Sequence, residues 1–189
     1  MSSFEYITVL ISIVLGLGIT QILTGIADLI KKSHKVILYW PHILWILFVL
    51  LLHIQEWWLM YELKNFHPWR LPSFLFIMLY PINLYVMAKL LFPKKIKGKE
   101  VDLKIFYFKN YRKIFVLLIL SAFISVLYNI FILNLKIEDQ LLQILLGVGI
   151  SIITIRNISA EWLHKLIAVV VLMMLLISIV VEWNVWLIE

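Results

Sequence analysis

The sequence predicts an all-α integral membrane protein: a bundle of six transmembrane helices with short loops and both termini outside. Three observations carry this. Hydrophobic side chains make up 63% of the 189 residues, above the apolar share of ordinary soluble domains. Six apolar runs, at 4–30, 38–63, 71–92, 114–133, 140–155 and 162–188, approach or exceed the roughly 20 residues that a helix needs to cross a hydrocarbon core. Lysine and arginine alternate in density between the connections, and the basic connections are expected to face the cytoplasm.

The alternation is read directly. The first connection carries Lys31, Lys32 and Lys35, the third carries Lys94, Lys95, Lys97, Lys99, Lys104, Lys109, Arg112 and Lys113, and the fifth carries Arg156 and Lys165. The second and fourth hold only Lys64, Arg70 and Lys136. The expected location is a cytoplasmic membrane of the bacterial type, with the chain forming a single transmembrane domain. No connection is long enough for a soluble domain. The net charge of +6 therefore reads as topology and not as a nucleic-acid footprint. The chain has no cysteine, which excludes disulfides, thiol nucleophiles and thiolate-bound metals.

The first run opens after Met-Ser-Ser-Phe-Glu, which lacks the basic region of a signal peptide, so this run is expected to stay in the mature protein. Within it Ser12, Gly16, Thr20, Thr24 and Asp28 recur every fourth residue. That spacing draws a stripe of small side chains along one helix face, the expected packing face for a neighbouring helix. In the second run Pro41 suits a first turn, where its missing N–H costs nothing. Trp57, Trp58 and Tyr61 form an aromatic belt at the far end. Pro72 opens the third run in the same way, and Pro81 is expected to kink it.

Between the third and fourth runs, Asp102 is placed to cap a short helix in which Ile105, Phe106, Phe108 and Tyr111 mix with Lys104, Lys109 and Arg112. An interfacial amphipathic helix near 102–112, lying on anionic headgroups, is expected there. The positive-inside rule alone also accounts for the charge cluster. The fifth run carries Gly147 and Gly149, which are expected to serve close helix packing. Its 144–151 segment matches 13–20 of the first run in residue type, position for position, and a parallel duplication would explain this. In the last run Glu161 and Lys165 are spaced as a helical ion pair, with the acid in the first turn.

Ionisable groups inside a span are costly, so each is a functional candidate. His42, Trp45, Val49, His53, Glu56 and Met60 share one face of the second helix, and His53 and Glu56 lie one turn apart. A histidine beside a carboxylate suits a proton relay or gate. Glu182, near the outer end of the last run, together with Asn129 from the fourth, is expected to join Glu56 around an outward vestibule that attracts cations.

Enzyme signatures are lacking. There is no His-Glu-x-x-His and no Gly-x-Ser-x-Gly. His53-x-x-Glu56 and Glu161-x-x-His164 fall on opposite membrane sides and cannot share a metal. No cofactor, metal or nucleic acid is expected. The leading expectation is a channel- or transporter-like conduit for protons or small cations. The alternative is a membrane sensor, effector or assembly subunit that acts through helix packing and the basic cytoplasmic segment. Under either, a homo-oligomer or a membrane-protein partner is expected.

Overall fold

The computed structural model describes residues 2–93 and 100–181. It contains six helices: α1 (Ser3–Lys31), α2 (Trp40–Leu59), α3 (Leu71–Leu90), α4 (Leu103–Phe131), α5 (Leu141–Ile155) and α6 (Glu161–Val181). Short 3-10 turns extend α2 at its end and α5 at its start, and all six are then long and apolar enough to cross a membrane. Two-residue strands β1 (Val36–Ile37) and β2 (Val101–Asp102) pair in parallel, with Val36 opposite Val101 and Ile37 opposite Asp102. The basic residues Lys94, Lys95, Lys97 and Lys99, and Glu182, lie outside the described residues.

Local chemistry sets the helix starts. Ser2 and Glu5 close a reciprocal capping box on α1: the Glu5 amide donates to Ser2 Oγ at 3.1 Å and the Ser2 amide donates to Glu5 Oε2 at 2.9 Å. Pro41 and Pro72 sit in the first turns of α2 and α3, as their fixed φ and missing donor favour. The Asp102 carboxylate accepts from the Lys104 and Ile105 amides at 2.7 and 3.2 Å and caps α4.

The short amphipathic helix expected near 102–112 is not a separate element. It is the first third of α4, which runs unbroken from Leu103 to Phe131. No glycine or proline interrupts that stretch. Leu103, Tyr107, Tyr111, Ile114, Phe115 and Leu118 continue one buried stripe through it. Lys104, Lys109, Arg112 and Lys113 take the exposed side of the same turns. The α3 helix also runs on through Pro81, which is buried.

The core trio is α1, α2 and α3, with α4 against α3, α5 against α4 and α6 against α2. On α1 the buried residues are Ile11, Leu15, Gly18, Ile22, Gly25 and Leu29. They alternate in steps of four and three, the spacing of a coiled-coil seam. The expected small-residue stripe does not carry this packing. Ser12 and Gly16 are partly buried, and Thr20, Thr24 and Asp28 are exposed. A methyl group on Gly16 would meet nothing within 4 Å, whereas one on Gly18 would fall 2.2 Å from the His53 ring and one on Gly25 would fall 2.5 Å from the Phe92 ring. The close approaches are therefore made at Gly18 and Gly25, because large rings from other segments fill the space a Cβ would take.

The fifth helix shares one local feature with the first. Ser151 donates to the Gly147 carbonyl and Thr20 donates to the Gly16 carbonyl, both at 2.7 Å. The surroundings differ, since Gly18 is buried against His53 while its counterpart Gly149 faces open space. A polar clasp ties α3 to α4, where the Asn83 amide donates to Ser121 Oγ at 2.7 Å and to the Leu117 carbonyl at 2.8 Å.

The odd-numbered connections gather at one end of the bundle. β1 and β2 join the first and third, and the Tyr111 hydroxyl donates to Asn157 Oδ1 of the fifth at 2.9 Å. Asn157 takes a φ of 51°, a left-handed conformation that asparagine tolerates better than most residues. Lys104 and Lys165 both reach Glu161 there, at 2.6 and 2.8 Å. The second of these is the expected helical pair, and the first adds a link from α4 to α6.

Candidate functional site

Two polar neighbourhoods stand at opposite ends of the bundle. At the Lys104 end, His164 sits fully buried in an aromatic knot. The ring centroids of Phe108, Tyr111 and Phe115 lie 5.1, 4.6 and 5.7 Å from its own. His164 Nε2–H donates to the Ile158 carbonyl at 2.8 Å. A carbonyl only accepts, so the imidazole carries its proton on Nε2 and uses Nδ1 to accept from the Tyr107 hydroxyl, also at 2.8 Å. Both nitrogens are occupied. Tyr39 packs on Tyr107 and Phe108. Its phenol is pushed up to about 12, first by burial and then by the Glu161 carboxylate. The knot thus commits both imidazole nitrogens of His164 to groups within the chain.

At the other end lies a cavity of about 770 Å³ bounded by α2, α4, α5 and α6, with Tyr80 contributed by α3. Helical periodicity assembles it. Ser121, Ser125 and Tyr128 come from one face of α4, Phe48, Leu52, Gln55 and Leu59 from α2, and Val171, Met174 and Ser178 from α6. Glu56 projects into it from α2. Glu62 and Asp139, both exposed, lie where it reaches the surface. At the inner end Phe48 lines it, and Trp45 packs behind Phe48 and against Phe115 with ring centroids 5.8 and 5.3 Å apart.

Among the described residues, the lining contains three carboxylates, Glu56, Glu62 and Asp139, and no lysine, arginine or histidine. Some of its polar groups are engaged. Asn129 Nδ2 donates to Gln140 Oε1 at 2.7 Å, and Gln143 Nε2 donates to the Ala122 carbonyl at 3.1 Å. The Tyr128 hydroxyl is buried without a hydrogen-bond partner among the described residues.

The polar face expected on the second helix resolves into separate tasks. His42 Nε2–H donates to the Leu91 carbonyl at 2.8 Å and packs edge-on against Phe106 and Tyr107. His53 Nδ1–H donates to its own Val49 carbonyl at 2.7 Å, and its Nε2 faces Gly18. His53 therefore belongs to the α1–α2 contact and does not line the cavity, whereas Glu56 and Asn129 do. The expected His53–Glu56 relay is not assembled: the three-residue step falls about 60° short of a full turn, and the His53 ring is held by the Val49 carbonyl against Gly18 while Glu56 lines the cavity. Gln55, Tyr80, Ser125 and Tyr128 were not singled out from the sequence. The four-residue and three-residue steps from Ser121 to Ser125 to Tyr128 are the signal that marks the two on α4.

Among the described residues, no group of three or more His, Cys, Asp or Glu side chains is placed to hold a metal ion. Comparison of the chain with protein-family models, with curated proteins and with solved structures found no match.

Proposed function

We propose that the chain is a multi-pass membrane protein whose end cavity captures a small cation, as the substrate site of a transporter-like conduit closed on one side. The observation that carries this is the lining: among the described residues, three carboxylates and no basic residue. Carboxylates set in low-dielectric walls focus a negative potential and raise the local concentration of cations. Glu56 is the deepest of the three and is the proposed binding carboxylate, with Glu62 and Asp139 attracting cations at the mouth. The aromatic floor supports alternating access over an open pore. The positive-inside rule would turn the cavity outward and the basic Lys104 end, with Lys109, Arg112 and Lys113, toward anionic cytoplasmic headgroups.

The test is calorimetric binding of tetramethylammonium to the protein in uncharged maltoside micelles, with cation flux into proteoliposomes alongside. Saturable binding is expected, weakened about tenfold, or roughly 1.4 kcal/mol, in Glu56→Gln. His53→Gln is expected to leave binding unchanged, since His53 lies outside the cavity. Absence of binding in the parent protein would overturn the proposal.

A second reading has its own observation. The Ser12, Gly16, Thr20 and Thr24 stripe faces away from the chain's own packing seam, with open space at Gly16. We propose it as the contact for a partner helix, either from a second copy or from another membrane protein, because small residues let helices approach closely in lipid. Gly16→Ile with Thr20→Ile is expected to lower the dimer fraction in crosslinking without lowering the unfolding temperature of the monomer. An unchanged dimer fraction would refute a homo-oligomer built on this stripe.

A further inference from the structure

We infer that the cation captured in the cavity is the head of a single-chain amphiphile, which enters sideways from the bilayer between α5 and α6. This rests on the reading of the cavity as a cation site. Consecutive short-loop helices normally pack on one another, but here α5 packs along α4 and α6 along α2. The two are joined by the short connection between Ile155 and Glu161 at the Lys104 end, where Tyr107 and Lys104 of α4 also hold the base of α6. Toward the other end both helices line the cavity, α5 through Leu142, Leu146 and Gly147 and α6 through Val171, Met174 and Ser178.

The lining divides to match an amphiphile. The α5 and α6 sides contribute mostly apolar groups, including Leu142, Leu146, Ile150 and Val171. The α2 and α4 sides contribute Gln55, Glu56, Ser125 and Tyr128. Glu56 shares the cavity with two tyrosines, Tyr80 and Tyr128, and tyrosine faces add cation–π attraction for alkylammonium groups. A volume of about 770 Å³ lies within the range of organic-ligand sites and far exceeds what a bare ion fills. A head at Glu56 and a tail leaving between α5 and α6 would satisfy both halves. Among the described residues, an anionic head would meet three carboxylates and no cationic side chain.

The experiment counts adducts by native mass spectrometry from maltoside micelles, using tetradecyltrimethylammonium, tetramethylammonium and tetradecyl sulfate as probes. The long-chain cation is expected to form a one-to-one adduct at least about tenfold tighter than tetramethylammonium, and the sulfate none. Glu56→Gln should weaken both cations. Gly147→Phe fills the α5 wall, where a Cβ meets only Ala122 at 3.9 Å, and should weaken the long-chain cation selectively. Equal binding of the two cations would overturn the amphiphile while leaving the cation site standing. Binding of neither cation would end both proposals. Sulfate binding as tight as the long-chain cation would reduce the cleft to a generic tail groove and overturn the inference. Efficient α5-to-α5 crosslinking between copies carrying Leu146→Cys would also overturn it, by giving the cleft to a second copy.

Discussion

Gly18→Ala is expected to destabilise the protein by about 1–3 kcal/mol, the usual cost of overpacking, although alanine is the better helix former. The added methyl would lie 2.2 Å from His53 Nε2. The ring has little freedom to withdraw, because its Nδ1–H is held by the Val49 carbonyl at 2.7 Å and the side chain is fully buried. Gly16→Ala, two positions away with nothing within 4 Å, is expected to be neutral or stabilising by up to about 1 kcal/mol. Thermal unfolding in maltoside micelles compares the two, and His53→Ala in the Gly18→Ala background should recover part of the loss. If Gly16→Ala proved the more harmful, the packing seam of α1 would be the small-residue stripe after all.

His164→Ala is expected to be more damaging still, at about 3–5 kcal/mol, in the range of large-to-small core substitutions that leave a cavity. It removes a ring that contacts Phe108, Tyr111 and Phe115, and it frees both the Tyr107 hydroxyl and the Ile158 carbonyl. Tyr107→Phe keeps the packing and deletes only the donor to Nδ1, so about 1–3 kcal/mol is expected. Unfolding temperatures should follow the order parent, Tyr107→Phe, His164→Ala. Equal losses would mean that the hydrogen bond outweighs the packing of the imidazole.

What was legible in the sequence is what local chemistry decides. Proline in a first turn, the Asp102 cap and the Glu161–Lys165 pair each depend on residues within a turn of one another. The alternating basic connections likewise placed the odd-numbered loops together, as the pairing of β1 with β2 shows. The seam of α1 was not legible for a physical reason. In an apolar run, a buried face of Ile and Leu looks the same as a lipid-facing one. The choice between them is made by the shapes of His53 and Phe92, which come from elsewhere in the chain. The continuity of α4 was hidden by its charges, which mark where a helix leaves lipid and not where it ends. The cavity draws on five helices, so no single stretch announces it, although Glu56 and Asn129 were both recognisable as polar groups out of place.

The depth of that cavity has an electrical consequence. Its lining on α2 and the 3-10 turn that extends it runs from Phe48 to Glu62, about 20 Å at the helical rise of ~1.5 Å per residue, against a hydrocarbon core of about 30 Å. On the proposed reading the cleft holds water and conducts, so in an energised membrane most of the voltage would fall across the remaining third, where Trp45, Phe115 and the His164 knot are packed. A cation at Glu56 would then do little work against the field in arriving. Nearly all of the ~2.3 kcal/mol per charge per 100 mV would be met in one short step through the aromatic floor.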